Sequence, residues 1–149
     1  MDRCQADGGV SGMKRTVQLV WCGLLAILLN ACGGMPLRGT GDLGLVIERA
    51  SGHVTLVNTS RREAYARIGG LGDLSHASVV YSRDARYAFV FGRDGGLTKI
   101  DLLEARIVKR IMQSGNAIGG SISQDGRIVV AQNYTPGGIK AFDAETLEL

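Results

Sequence analysis

The side chains able to do chemistry are few, and most sit in glycine-rich stretches. His76 closes Gly69-Gly70-Leu71-Gly72-Asp73-Leu74-Ser75-His76, and His53 closes Arg49-Ala50-Ser51-Gly52-His53. Arg93 lies in Gly92-Arg93-Asp94-Gly95-Gly96 and Tyr134 in Asn133-Tyr134-Thr135-Pro136-Gly137. Glycines around an imidazole let backbone approach a bulky ligand; the bland alternative is that each of these is a solvated turn residue. Asp73 and Ser75 are too close in sequence to His76 to build a Ser-His-Asp triad. No helix start or Lys-Ser/Thr follows Gly92-Arg93-Asp94-Gly95-Gly96, so it is not a phosphate loop. Two histidines far apart make no His-rich metal site. Three cysteines without a CxxC spacing exclude a zinc ribbon, a c-type haem attachment and a thioredoxin motif. A net charge of +3 with no basic run gives no footprint for nucleic acid.

Cys32 is a candidate of a different kind. Met13-Lys14-Arg15 precedes an apolar run from Val17 to Leu29, broken by Gln18 and Gly23. Two positive charges ahead of such a run form a secretory signal pattern. The run is shorter than the roughly 20 residues that span a membrane. It ends in Leu29-Asn30-Ala31-Cys32, which resembles a bacterial lipoprotein cleavage site, with the Cys32 thiol taking the diacylglyceryl group. Gly33 rather than aspartate follows, which by the lipoprotein sorting rule favours the outer membrane. The expectation is an upstream segment at 1–12 that is not part of the protein, with Met13 the true start. A signal at 13–31 and a lipidated, flexible tether at 32–42 follow. Cys4 and Cys22 are then absent from the mature chain, which has no disulfide. The expected location is the periplasm, on a membrane lipid anchor.

The elements that position the candidates come from a repeat. Ser82-Arg83-Asp84-Ala85-Arg86 recurs as Ser123-Gln124-Asp125-Gly126-Arg127. Gly95-Gly96-Leu97-Thr98-Lys99-Ile100-Asp101 recurs as Gly137-Gly138-Ile139-Lys140-Ala141-Phe142-Asp143, and a partial earlier copy ends at Asn58. The period is about 42 residues, that of a four-stranded propeller blade. Val, Ile, Tyr and Phe predict strands at 44–48, 54–57, 64–68, 77–81, 87–91, 97–100, 107–112, 118–123, 127–131 and 139–142. No stretch after the signal has a helical period. The fold class is therefore all-β, a propeller spanning 43–149, with a β-sandwich as the alternative that the repeat disfavours. The reading gives one whole blade and two partial ones, about two to three blades. The first lacks its inner strand, and Leu149 falls just inside an outer strand. That describes the N-terminal fragment of a longer ring.

In such blades the turns between strands two and three share a face with the blade-to-blade links. That places Arg49, His53, His76, Arg93 and Tyr134 on one rim, His76 nearest the axis. The repeated aspartates fall on the other face and read as turn formers.

The stretch from Gly69 to Asp84 (GGLGDLSHASVVYSRD), followed by Tyr87-Ala88-Phe89-Val90-Phe91-Gly92-Arg93-Asp94-Gly95-Gly96, resembles the NirF family of haem d1 biosynthesis proteins. More weakly, it is similar to the haem d1 domain of cytochrome cd1 nitrite reductase. The similarity runs from about Gly41 to the end of the chain. It implies an eight-bladed ring. It also implies that His76 is an axial ligand of haem iron, that Tyr134 contacts the ring, and that Arg49 and Arg93 offset the ring carboxylates. The reductases carry an arginine three residues after the ligand histidine, where this chain has Val79. They also carry a c-type haem domain with CxxCH, whereas this chain has a lipid-anchor pattern. The resemblance therefore implies maturation of haem d1 or a late precursor for cytochrome cd1 nitrite reductase, not electron transfer. Two chemical roles stay open: side-chain modification of a bound precursor, and carriage to the apo-reductase. Expected partners are the tetrapyrrole, nitrite reductase, other d1-assembly proteins and the membrane. The competing reading is a non-catalytic propeller lipoprotein that scaffolds envelope proteins.

Overall fold

The structure is a computed structural model and describes residues 39–149. The upstream segment, the signal pattern, Cys32 and most of the tether lie outside the described residues. Ten strands follow in order: β1 (Leu43–Glu48), β2 (His53–Asn58), β3 (Glu63–Ile68), β4 (Ser78–Tyr81) and β5 (Tyr87–Phe91). Then come β6 (Gly96–Asp101), β7 (Arg106–Met112), β8 (Ala117–Ile122), β9 (Ile128–Tyr134) and β10 (Gly137–Asp143). They form three antiparallel sheets in sequential order, β1-β2-β3, β4-β5-β6-β7 and β8-β9-β10. One blade is whole and two are three-stranded, and the first lacks an inner strand, as the repeat implies.

Each turn class repeats its own chemistry. Between the first and second strands, Asp84 Oδ1 accepts from Ser82 Oγ at 2.6 Å and the Arg86 amide at 3.1 Å. Asp125 accepts from Ser123 Oγ at 2.5 Å and the Arg127 amide at 3.1 Å. Ala85 and Gly126 stand at matching positions in left-handed backbone, with φ of 56° and 77°. After each third strand, Asn58, Asp101 and Asp143 accept amide protons from the turn that follows. Each ends its strand because its side chain offers the backbone an alternative to the ladder. Residues after Asp143 form such a turn. The Asp143 amide donates to the Glu148 carbonyl at 2.9 Å, the rung that Asp101 and Arg106 share in the whole blade.

Two apolar layers lie between the blades, and strand alternation feeds both. Ala88 and Val90 of β5 join Val54, Leu56 and Ile68 of the first blade. Phe89 and Phe91 of the same strand join Val129, Ala131 and Phe142 of the third. The whole of β6 is buried, Lys99 and Asp101 included. Burying a leucine or phenylalanine contributes roughly 1.5–3 kcal/mol, so these layers fix how the blades stand to one another. Where β8 passes β4, Gly120 lies against the Phe91 ring with no room for a Cβ.

A cleft at the mouths of the blade links

The link from β3 to β4 carries His76. Leu71 and Leu74 are each 1% exposed and pin it into the first apolar layer. Gly70 and Gly72, with φ of 86° and 81°, give the left-handed turns that let both leucines point inward. The Ala77 amide donates to the Leu74 carbonyl at 3.2 Å, closing a turn with Ser75 and His76 at its tip. His76 is therefore exposed, one residue ahead of the buried Ala77.

Around that tip lies a cleft of about 530 Å³ lined by Arg49, His76, Ala77, Arg93, Asn116, Ile118 and Tyr134. A volume of roughly 300–1,000 Å³ is usual for a small-molecule site. The structure thus brings His76, Arg49, Arg93 and Tyr134 together from four separate segments. His53 does not join them. Its Nδ1 sits 2.6 Å from the Ser51 carbonyl, and its ring packs against Gly69, where a Cβ would stand 2.8 Å from Nε2.

The electrostatics of the cleft are one-sided. Among the described residues no carboxylate lines it. Glu48, next to Arg49, is turned to Arg67, whose Nη2 lies 2.7 Å from its Oε2. Arg67, then Thr55 and Ser51, hold the Glu48 carboxyl at about 2, well below its ordinary value. Arg49 makes no ion pair among the described residues; its Nη1 reaches the Ser75 carbonyl at 3.4 Å. Arg93 likewise has no carboxylate partner, while its neighbour Asp94 binds Arg110 at 2.6 Å. Asp73, just outside the lining, has its carboxyl held below the ordinary value by the amide and hydroxyl of Ser75, with the charges of Arg93 and His76 adding to the effect.

Three further residues line the cleft: Asn116, which the blade geometry puts in a link on the same rim, and Ala77 and Ile118, which the sequence marks only as starts of inner strands. Asn116-Ala117 stands one repeat on from His76-Ala77, so the period itself carried the signal for Asn116. Its carbonyl accepts the Tyr134 amide at 3.1 Å, which ties the tyrosine turn to the blade link. Beneath it, the buried side chains of Gln113 and Asn133 exchange two hydrogen bonds at 2.7 and 3.0 Å. The Asn116 Oδ1 is buried with no hydrogen-bond partner among the described residues.

Residues 38–149 match the cytochrome D1 heme domain. The chain belongs to this family. It is NirF-like within it: over 122 residues it is 65% identical to Protein NirF of Stutzerimonas stutzeri, covering 82% of this chain and 31% of that one. Over 127 residues it is 62% identical to Protein NirF of Pseudomonas aeruginosa, covering 85% of this chain and 32% of that one. It therefore spans about a third of the length of these relatives. Among solved structures it is similar to the dihydro-heme d1 dehydrogenase NirN in complex with DHE. There the TM-score is 0.71 and the identity 30%, over 81% of this chain and 26% of that one. The fold of the described residues is part of a propeller, and the eight-bladed ring stays an expectation.

Proposed function

We propose that the cleft binds haem d1 or a late precursor, and that the protein acts in the maturation of that group for cytochrome cd1 nitrite reductase. One observation carries the reading: an imidazole, two guanidiniums and a phenol line one cleft in which, among the described residues, no acidic side chain faces them and neither guanidinium is in an ion pair. This donor set fits a flat, anionic metallo-tetrapyrrole. A neutral His76 imidazole would hold the iron. Arg49 and Arg93 would pair with ring carboxylates through charge-assisted hydrogen bonds. Tyr134 is 62% exposed and offers its ring face and hydroxyl. The orphaned Asn116 Oδ1 supplies an acceptor for a ligand donor. When bound, the iron ring supplies a redox centre; the residues here hold and orient it. The solved NirN complex with DHE supports the same ligand class.

The N-terminal pattern supports export and attachment through Cys32 to the outer membrane, with the cleft in the periplasm. The test is a titration of the full-length protein with haem d1, followed by the Soret band. His76→Ala should lose the shift. Arg49→Gln and Arg93→Gln should each weaken binding by about tenfold, the loss of one hydrogen bond to a charged group. The same band and affinity in His76→Ala would overturn the reading. An envelope scaffold would give no titration at all.

A further inference from the structure

The glycine-rich link that presents His76 is not held by its own contacts alone. Its segment Leu71–Asp73 is gripped from the second blade. Arg110 Nε donates to the Leu71 carbonyl at 3.2 Å, and Arg110 Nη2 binds Asp94 Oδ2 at 2.6 Å. The same Asp94 Oδ2 accepts the Asp73 amide at 3.3 Å, while Oδ1 accepts the Gly96 amide at 2.9 Å. The Arg93 amide donates to the Asp73 carbonyl at 2.8 Å. The ion pair is about three-quarters buried, with side-chain exposures of 24% for Arg110 and 27% for Asp94. Gly72 has no room for a Cβ because Asp94 and the Arg110 guanidinium fill that space.

We propose that Asp94 and Arg110 are positioning residues for the ligand site, a clamp that sets where His76 and Arg93 stand relative to each other. Neither side chain lines the cleft. Both act through the link: Arg110 fixes Leu71, Asp94 fixes Asp73, and Asp94 is covalently next to Arg93. Without the clamp, the link retains its two buried leucines and the Ser75–Asp73 bond of 2.9 Å. Two left-handed glycines would then be free to re-aim the Ser75–His76 tip. Groups that orient a metal-binding histidine are typically worth 10–100-fold in affinity.

The inference rests on the tetrapyrrole reading, and the experiment separates the two. Hydrogen exchange of residues 71–77 is measured in the ligand-free full-length protein, and haem d1 affinity by equilibrium dialysis, which reads binding with or without an iron–histidine bond. The variants are wild type, Arg110→Gln, Arg110→Lys, His76→Ala and His76→Ala/Arg110→Gln. Arg110→Gln should speed exchange in 71–77 while β5 and β6 keep theirs, and weaken haem d1 binding 10–100-fold. Arg110→Lys should restore part of both. In the His76→Ala background, Arg110→Gln should change affinity less than threefold. Unchanged exchange in 71–77, or the same loss of affinity in both backgrounds, overturns the clamp. If His76→Ala alone leaves binding intact while Arg110→Gln still speeds exchange, the ligand reading is what fails.

Discussion

Asp101 and Asp143 occupy the same place in consecutive repeats, so replacing each in turn separates turn chemistry from burial. Both side chains accept two amide protons from the turn that follows. Asp101 is 1% exposed and also takes Arg86 Nη2 at 2.9 Å and Nε at 3.2 Å. Burial works against its charge, but the Arg86 bonds outweigh it and its carboxyl stays below the ordinary value. Asp143 is exposed and forms no ion pair among the described residues; Arg127, in the place of Arg86, acts on it only through its charge. Asp101→Ala removes two amide acceptors and leaves the Arg86 guanidinium without its buried partner. Arg86 is 39% exposed and keeps Glu104 Oε1 at 3.3 Å, so the cost is that of the lost acceptor: about 1–3 kcal/mol for the turn amides and about 1.5–3 kcal/mol for the bonds to the guanidinium. Asp101→Asn keeps a turn acceptor, as Asn58 does naturally, and loses the charge. It should cost less, about 1.5–3 kcal/mol, the value of hydrogen bonds to a charged group. Asp143→Ala, in solvent, should shift the urea midpoint far less than either. The assay is equilibrium urea unfolding of the full-length protein with each variant. Equal midpoint shifts for Asp101→Ala and Asp143→Ala would refute the claim that the buried ion pair, rather than the turn, carries the difference.

Ala85 and Gly126 offer a second internal comparison. Ala85→Gly removes a left-handed alanine worth roughly 1–2 kcal/mol of strain, offset by about 0.5–1 kcal/mol of glycine entropy; it should be neutral or slightly stabilising in urea melts. Gly126→Ala should cost about 1 kcal/mol, although the nearest atom to the new Cβ, at 3.4 Å, leaves room. Asn133→Ala leaves the buried Gln113 Oε1 without its donor, while Nε2 keeps Ser114 Oγ at 3.1 Å, and should cost roughly 1–3 kcal/mol. Adding Gln113→Ala should then cost less than it does alone, a non-additivity that a double-mutant cycle reads directly. Glu48 has its pKa depressed from 4.5 to about 2 in the fold. Its contribution is present above pH 4.5 and is lost as pH falls towards 2. Glu48→Gln should therefore flatten the fall of the urea midpoint across that window, and an unchanged slope would contradict the Arg67 ion pair.

Most of the architecture was legible because the period is written in turn residues. Ser82 and Asp84, with their copies Ser123 and Asp125, mark where strands reverse, and Val, Ile and Phe runs fill the intervals. Strand ends were less legible where polar residues stay in the ladder. The β9 expectation stopped at 131, yet Gln132, Asn133 and Tyr134 continue it. Asn133 is buried against Gln113, a partner 20 residues away that local pattern cannot announce. Likewise β6 extends to Asp101, whose burial depends on Arg86. Lys99 of β6 is buried over the Tyr87 ring at 4.4 Å and caps the Glu145 carbonyl at 3.0 Å. Blade geometry put Arg49, His76, Arg93 and Tyr134 on one rim from sequence alone. The Asp94–Arg110 pair that braces that rim arises only when β7 lies beside the link, and no spacing rule predicts it.

The central claim is that His76 offers its imidazole to the iron of a d1-type tetrapyrrole. The most direct measurement is pulsed EPR of the ferric haem d1 complex of the full-length protein, with ¹⁵N-labelled histidine. A hyperfine coupling to one histidine ¹⁵N that disappears in His76→Ala is the predicted result. A complex whose histidine coupling persists in His76→Ala, or one that shows none in the wild type, would contradict it.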